Sequence, residues 1–245
     1  QEAQDLTEKS IAILVAAVGE KDKRVATALN SLAGYVAASG DLVEANRTLL
    51  RALAIKRELN GPNHPSLAST LVNLMEMDRM RGRPTDGAIH GQEALRILSG
   101  QSNRKLNDSL RRVQVGVAEA FLASGDSRAA LVECEALERE LDSEVSASIH
   151  GRVLTCLGNA NIAVGKRALG KAFLEQALET FEEKEGPHPR RALALFALAK
   201  VETHAERSIE LGRLALRYLS DAGPEWRNEL MSVQSWLNKH GVTIP

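Results

Sequence analysis

The sequence contains few aromatic residues and no long apolar run. Aromatic side chains make up 3% of the 245 residues, while hydrophobic residues of all kinds make up 44%. The core must therefore consist mainly of Ala, Leu, Ile and Val, a composition that favours closely packed helices over an aromatic-rich β-sandwich. No apolar run approaches the roughly 20 residues that a helix needs to cross a bilayer, so we predict no membrane insertion.

The chain also lacks an excess of charge of either sign. Its 31 basic and 32 acidic residues leave a net charge of −1. Nucleic-acid binding needs a concentrated basic surface that neutralises phosphates, so we predict no nucleic-acid partner. Short basic clusters such as Arg111-Arg112 and Arg190-Arg191 are interpreted as solvated helix starts.

Cysteine is scarce, with Cys134 and Cys156 as its two instances. Two cysteines alone supply neither a disulfide framework nor a zinc site. Both lie within apolar helical patterns, where a free cysteine behaves as a small hydrophobic residue. We therefore expect free, buried thiols, which agree with a cytoplasmic location.

No catalytic motif is complete in this chain. The segment Gly165–Ala172 reads GxxxxGK, but a phosphate-binding loop needs Ser or Thr where Ala172 stands and a strand before the loop. Protein-kinase signatures are absent, and the six histidines show no metal-binding spacing. The sequence thus predicts a protein that is not an enzyme, with no metal and no cofactor.

An internal repeat organises the chain. Shifting the sequence by 42 residues superimposes apolar and small residues, and the turn glycines Gly82, Gly125 and Gly165 recur at spacings of 43 and 40. Such a period is typical of stacked helical repeats, in which each unit buries its apolar face against its neighbours. The superimposed pairs are Leu29 with Leu71, Leu32 with Leu74, Gly40 with Gly82, Ala45 with Gly87, and Ala52 with Ala94.

Each repeat reads as two helices. Leu29, Leu32, Ala33 and Val36 follow the i, i+3, i+4, i+7 spacing of one helical face. Gly40 can then adopt the left-handed backbone that ends a helix, and Asp41 can cap the next helix. Gly61–Pro65 and Gly186–Pro189 stop the second helices, because glycine and proline cannot continue a helix.

Small residues recur where two helices are expected to cross closely. At such a crossing only Ala or Gly leaves room for the backbones, while larger side chains three or four positions away fill the surrounding space. The positions concerned are Ala33, Ala45, Ala130, Gly158 and Gly170.

These residues support a family resemblance. Leu154–Gly158 followed by Gly170–Ala177 resembles the tetratricopeptide repeat, with small residues at its eighth, twentieth and twenty-seventh positions. The 42-residue period and the segment Ala52–Pro65 resemble the longer variant of kinesin light chains. The C-terminal segment Phe196–Leu237 resembles the end of the repeat regions of myxobacterial-type serine/threonine kinases, so we expect a bacterial signalling context.

The resemblance implies an all-α, right-handed superhelix of about five helix pairs, forming a single domain over residues 1–245. We also expect a leading helix from a truncated repeat and a C-terminal capping helix. The predicted boundaries are 2–18 for the leading helix, 24–60, 66–99, 105–142, 144–185 and 189–221 for the repeats, and 225–240 for the cap.

Several positions depart from the family pattern. Gly91 and Gln114 stand where a large apolar residue is expected, and the unit Arg190–Leu219 lacks its turn glycine and is about three residues short there. In the cap, Trp226 and Trp236 lie ten residues apart, close to three helical turns, so they can share one face and seal the last repeat.

The family resemblance also implies a binding surface. In tetratricopeptide repeats the first helix of each pair lines the concave groove, so we expect this chain to bind a protein or peptide segment there. Arg112 and Arg152 occupy the same repeat position and could face a carboxylate or phosphate. The groove candidates are Asn30, Asn73, Glu76, Arg79, Arg112, Glu119, Arg152, Asn159 and Lys200.

Two other functions stay open at the level of sequence. A small-ligand sensor would change the curvature of the repeats around a deep pocket. A structural arm would self-associate through the Ala- and Leu-rich outer faces. Fold alone does not choose between these functions and peptide binding.

Overall fold

The computed structural model describes residues 2–100, 108–141, 145–182 and 189–243. Those ranges contain α-helices and two short 3-10 turns and no β-strand, which confirms the all-α prediction. The 3-10 turns are Pro65–Leu67 and Pro224–Trp226. The helices are α1 (Glu2–Val18), α2 (Lys23–Ala38), α3 (Leu42–Asn60), α4 (Ala68–Met80), α5 (Pro84–Ser99), α6 (Asp108–Ser124), α7 (Ser127–Glu140), α8 (Ala147–Ala163), α9 (Arg167–Glu182), α10 (Pro189–Val201), α11 (Ala205–Ser220) and α12 (Arg227–Lys239).

Consecutive helices pack as pairs: α2 with α3, α4 with α5, α6 with α7, α8 with α9, and α10 with α11. Because each pair is joined by a short turn, its two helices run in opposite directions. The chain divides into two compact units, Gln1–Lys105 (unit 1) and Leu106–Pro245 (unit 2). The single domain expected from the continuous repeat stays a prediction.

Glycine and aspartate end and begin helices as the sequence predicts. Gly40 adopts a left-handed backbone with φ of +96° between α2 and α3. The carboxylate of Asp41 then accepts a hydrogen bond of 2.9 Å from the backbone N–H of Glu44 in the first turn of α3. Gly61 ends α3 with φ of +82°. Of the predicted stop at Gly186–Pro189, all but Pro189 lies outside the described residues.

A close helix crossing in unit 2 joins α8 to α9 at two glycines. A Cβ atom added to Gly158 would lie 2.6 Å from Cγ of Leu174, and one added to Gly170 would lie 2.5 Å from the backbone oxygen of Gly158. Non-bonded carbon and oxygen atoms do not approach so closely, so the prediction of small residues at this crossing is confirmed at Gly158 and Gly170.

Glu202 takes the place of the missing turn glycine between α10 and α11. Its carboxylate accepts hydrogen bonds from the backbone N–H groups of Thr203 at 2.7 Å and His204 at 3.2 Å, and from Nζ of Lys171 on α9 at 3.0 Å. These bonds to a buried carboxylate fix the short turn. The Lys171 hydrogen bond, followed by those two N–H groups, holds the pKa of Glu202 well below its usual range.

Acid is expected to weaken this turn. Because the pKa of Glu202 is lower in the folded chain than in the unfolded one, its contribution to stability is complete above the unfolded value of roughly 4.5. The contribution is then lost progressively as pH falls toward the folded pKa. A Glu202→Gln variant should be less stable than the parent at neutral pH, and the difference should shrink below about pH 4. Urea unfolding of both proteins between pH 3 and about pH 7 tests this, and a constant difference would contradict it.

The expectation of free thiols is wrong. Cys134 on α7 and Cys156 on α8 form a disulfide with a Cα–Cα distance of 6.3 Å, and both are buried in one apolar cluster with Leu137, Ile149 and Val153. In the sequence each cysteine stands in its own apolar helical pattern, whereas the packing of α7 on α8 brings the two together. The prediction of a cytoplasmic location loses the support that it drew from free thiols.

The two tryptophans occupy different elements at the C-terminal end. Trp226 belongs to the 3-10 turn before α12, whereas Trp236 lies inside that helix, so they do not share one helical face as predicted. Both nevertheless belong to one apolar cluster with Leu195, Leu219 and Val233. They therefore help to cover the apolar flank of the α10–α11 pair, as the predicted cap requires.

Candidate binding face

The first helices of unit 2 are neighbours in space. α6 packs on α8, and α8 packs on α10, so the three helices present one continuous surface, which we call the first-helix face. Unit 1 has two first helices of its own, α2 and α4. Each predicted groove residue lies on a first helix: Asn30 on α2; Asn73, Glu76 and Arg79 on α4; Arg112 and Glu119 on α6; Arg152 and Asn159 on α8; Lys200 on α10.

In unit 1 the predicted residues differ in their exposure and in their side-chain partners. Asn73 is exposed. The guanidinium of Arg79 lies 2.6 Å from the carboxylate of Glu76, so these two side chains pair with each other. Oδ1 of Asn30 is buried and accepts no hydrogen bond within the described residues.

In unit 2 one carboxylate joins all three first helices. Arg152 of α8 donates to Glu119 of α6 through Nε at 3.0 Å and through its terminal nitrogen at 2.6 Å. Arg190 of α10 donates to both oxygens of the same carboxylate, at 3.2 and 3.3 Å. The guanidinium of Arg190 also lies 5.0 Å from the ring centre of Trp226. The bidentate contact of Arg152 and the bifurcated contact of one Arg190 nitrogen on the same carboxylate fix the spacing of α6, α8 and α10.

This arrangement changes the expected roles of two residues. The carboxylate that Arg152 was expected to find on a ligand belongs to Glu119 of the same chain. The side chain of Arg152 is 9% exposed and that of Glu119 is 26% exposed. We therefore interpret both as residues that position the helices. The sequence interpretation of Arg190 as a solvated helix start is wrong, since its side chain is 16% exposed and bound to Glu119. The repeat alignment missed Arg190 because this residue does not stand at the repeat position that Arg112 and Arg152 share, 40 residues apart.

Replacing Glu119 by glutamine should destabilise unit 2. The substitution leaves two partly buried guanidinium groups around a neutral amide, and removing one partner of such a network costs about 2 kcal/mol after allowance for partial exposure. Glu179→Gln on α9 provides a matched control, because that side chain is exposed. Urea unfolding should shift in the first variant alone, and equal midpoints in the two variants would contradict the positioning role.

Three further predicted residues lie on the first helices of unit 2 with exposed or half-buried side chains. Arg112 is exposed and Asn159 is half-buried. Lys200 is exposed, with its Nζ 4.7 Å from the ring centre of Phe196 four residues earlier on α10. A guanidinium, a carboxamide and an ammonium together supply hydrogen-bond donors for the carbonyl and carboxylate groups of a peptide.

The described residues include neither a candidate metal site nor a helix that could span a membrane. Within them, no group of three or more His, Cys, Asp or Glu side chains could hold a metal ion. No helix in the same ranges combines the length and the apolar character that crossing a membrane requires.

Comparison with known proteins identifies the repeats. Residues 24–100 match the model of the tetratricopeptide repeat family. Over these residues the chain is similar to tetratricopeptide repeats. The match covers α2 to α5, so the family resemblance inferred from the 42-residue period is confirmed for the first two helix pairs. A comparison with curated protein sequences finds no match.

Solved tetratricopeptide-type structures share the fold over most of the chain. A putative kinesin light chain from Podospora anserina superimposes with a TM-score of 0.58 at 19% identity, over 89% of this chain and 97% of that one. BtubC from P. vanneervenii gives 0.61 at 16% identity, over 100% and 92%. PilF of Pseudomonas aeruginosa gives 0.53 at 15% identity, over 88% of each chain. At these identities the likeness shows the fold alone. One of the similar structures is a putative kinesin light chain, the type of repeat that the sequence resembles.

Proposed function

We propose that this chain is a non-catalytic binding module that holds a segment of another protein on its first-helix face. The observation that carries the proposal is the built surface of unit 2. The Glu119 network fixes the spacing of three first helices, and Arg112, Asn159 and Lys200 are exposed or half-buried polar residues on the same helices. A rigid surface that carries polar side chains binds a peptide without a large ordering cost.

The resemblance of the C-terminal segment to kinase repeat regions supports a place in a larger bacterial signalling protein, such as a serine/threonine kinase. In such a protein this chain would recruit a partner or substrate to a domain elsewhere. On this proposal unit 1 carries candidate contact residues of its own, Asn30 and Asn73 together with the Glu76–Arg79 pair.

Selection of peptides tests the proposed function. A display library of random dodecapeptides would be selected on the intact chain, and the affinity of the enriched peptides would be measured for an Arg112→Ala/Asn159→Ala variant. We expect a loss of at least about tenfold, since each lost donor bond to a charged or carbonyl acceptor contributes about 1 kcal/mol. Arg152 is left intact because its loss would disturb the fold.

The matched control is Arg128→Ala/Gln176→Ala, which removes a guanidinium and a carboxamide from the exposed surface of the second helices α7 and α9. This control should bind as the parent does. Peptides that bind the first variant at full strength, or a library that yields no enrichment, would contradict the proposal.

Ligand sensing is the second candidate, and one observation favours it. An open groove of about 570 Å³ lies between α10 and α12, similar in volume to small-molecule sites but less enclosed than they are. A sensor predicts that a small metabolite raises the melting temperature of unit 2 without any peptide. Self-association is distinguished from both by sedimentation, where it predicts a mass that rises with concentration.

A further inference from the structure

The disulfide joins two neighbouring helix pairs rather than the two helices of one pair. Cys134 lies on α7, the second helix of the α6–α7 pair, and Cys156 lies on α8, the first helix of the α8–α9 pair. Because the chain has two cysteines, every other junction between pairs is held by non-covalent contacts alone. Repeat arrays depend on the interfaces between neighbouring repeats, so the bond acts on the interface that holds the α6–α7 pair.

The α6–α7 pair stands at the N-terminal end of unit 2. The unit begins at Leu106, and inside it the pair meets the other helices through α8. At the opposite end of the unit, α12 packs on the last pair. An end repeat shares one interface with its unit where an inner repeat shares two, so end repeats open at a lower free energy. Within unit 2 we therefore expect the α6–α7 pair to open before the α8–α9 pair.

Non-covalent contacts keep the pair docked on α8 when the two sulfurs are not bonded. Leu137 of α7 packs in one apolar cluster with Ile149 of α8, and buried free thiols can remain in such a cluster as small hydrophobic groups. The carboxylate of Glu119 adds the bonds from α6. Glu138 and His150 also pair across the junction at 3.4 Å, but both side chains are about one third exposed, and exposed pairs contribute little.

Burial decides when the disulfide can react. Cys134 is 0% exposed and Cys156 is 1% exposed. Thiol–disulfide exchange requires an attacking thiolate to reach a sulfur atom, and no such approach exists while α7 lies on α8. Opening of the junction must therefore come before reduction, and the rate of reduction reports how often the junction opens.

We propose that the disulfide is a redox-controlled latch that holds the α6–α7 pair, and with it the α6 part of the first-helix face, against α8. Once the latch is reduced, this pair opens while the rest of unit 2 stays folded. Opening separates Glu119 from Arg152 and Arg190, so the face loses one of its three helices. This consequence rests on the proposed function, because it removes part of the surface on which a peptide would lie.

The reaction needs a dithiol reductant and balances as a two-electron exchange. A thiolate of the reductant attacks one cysteine sulfur and displaces the other as a thiolate, which gives a mixed disulfide. The second thiolate of the reductant then attacks its own sulfur in the mixed disulfide and releases the remaining cysteine. The reductant leaves as a cyclic disulfide, and its two protons pass to the two cysteine thiols of the chain.

Hydrogen exchange on the intact chain tests the latch before and after reduction. The bond closes a loop between residues 22 positions apart, a constraint that changes an opening equilibrium by about a hundredfold. Amides of α6 and α7 should therefore lose about a hundredfold in protection on reduction, whereas those of α10, α11 and α12 should keep theirs. An equal loss in all helices of unit 2, or no loss in any, would overturn the inference.

Two variants control this measurement. Cys134→Ala/Cys156→Ala should show the exchange pattern of the reduced parent with or without reductant. Glu119→Gln weakens the docking of α6, so the parent disulfide in this variant should be reduced by dithiothreitol at least about tenfold faster. Glu179→Gln on the exposed surface of α9 is the matched control and should react at the parent rate. Equal rates in the parent and both variants would overturn the coupling between the latch and the first-helix face.

A bound peptide separates this inference from the proposed function. A peptide selected on the oxidised chain binds the closed junction, so it should slow the reduction of the disulfide in proportion to its occupancy. A peptide that binds and leaves the rate unchanged would overturn the link between the latch and the face. A library that yields no peptide would overturn the proposed function, while the exchange measurement would still decide whether the latch exists.

Discussion

Replacing Gly170 by alanine is expected to destabilise unit 2 by about 3 kcal/mol, at the upper end of the usual cost of overpacking a tight core. The new methyl group would lie 2.5 Å from the backbone oxygen of Gly158 and 3.0 Å from the backbone nitrogen of Ile162. Neither backbone atom can move alone, so α8 and α9 must separate. The roughly 1 kcal/mol that alanine gains over glycine as a helix former offsets part of this cost and is already included.

Gly34→Ala provides the opposite result in the same chain. Gly34 lies inside α2, and a Cβ added there meets no atom within 4 Å. With no clash, helix propensity alone acts, and the variant should be more stable by up to about 1 kcal/mol. Urea unfolding combined with hydrogen exchange would assign each effect to its helices. A Gly170→Ala protein as stable as the Gly34→Ala protein would show that the α8–α9 crossing is looser than described.

Removing the disulfide should have an effect of similar size. The bond closes a loop between residues 22 positions apart, and restriction of the unfolded chain by such a loop is worth about 3 kcal/mol. A Cys134→Ala/Cys156→Ala variant should lose this amount from unit 2, together with a smaller cost for the two sulfur atoms that leave the core. The measurement is the urea midpoint of unit 2.

Reductant supplies the control for this prediction. The parent protein unfolded and refolded in a phosphine reductant should resemble the double alanine variant, whereas the variant itself should not respond to the reductant. A thiol assay on the parent in denaturant without reductant should find no free thiol. Two free thiols per chain, or a parent midpoint that ignores reductant, would contradict a structural disulfide between α7 and α8.

The sequence was sufficient for the paired helices and insufficient for side-chain partners. The positive-φ glycines and the close glycine crossing follow from local backbone needs that glycine alone meets, so Gly40, Gly61 and Gly170 could be interpreted from the repeat. The disulfide depends on where α7 packs on α8, which no local pattern encodes. The turn at Glu202 escaped prediction for the same kind of reason, because its stabilising partner Lys171 lies on another helix pair.

At the binding face, too, the sequence predicts which helix carries each residue but not which side chain it contacts. The repeat register placed the predicted residues on first helices, because register follows from periodicity. It could not show that Arg152 is occupied by Glu119, nor that Arg190 joins them, because these contacts cross between helices 33 and 71 residues apart. The α10–α12 groove could not be predicted from the repeat pattern either. Helix α12 follows the last helix pair, so the repeat assigns no position to its residues.

Photo-cross-linking tests the central claim most directly. A peptide enriched on the intact chain would carry a benzophenone group, and the adducts formed on irradiation would be located by mass spectrometry. The account predicts adducts on α6, α8 and α10, with a clear loss when unlabelled peptide is added in excess. Adducts concentrated on the second helices α7, α9 and α11, or spread over both sets without preference, would contradict binding at the first-helix face.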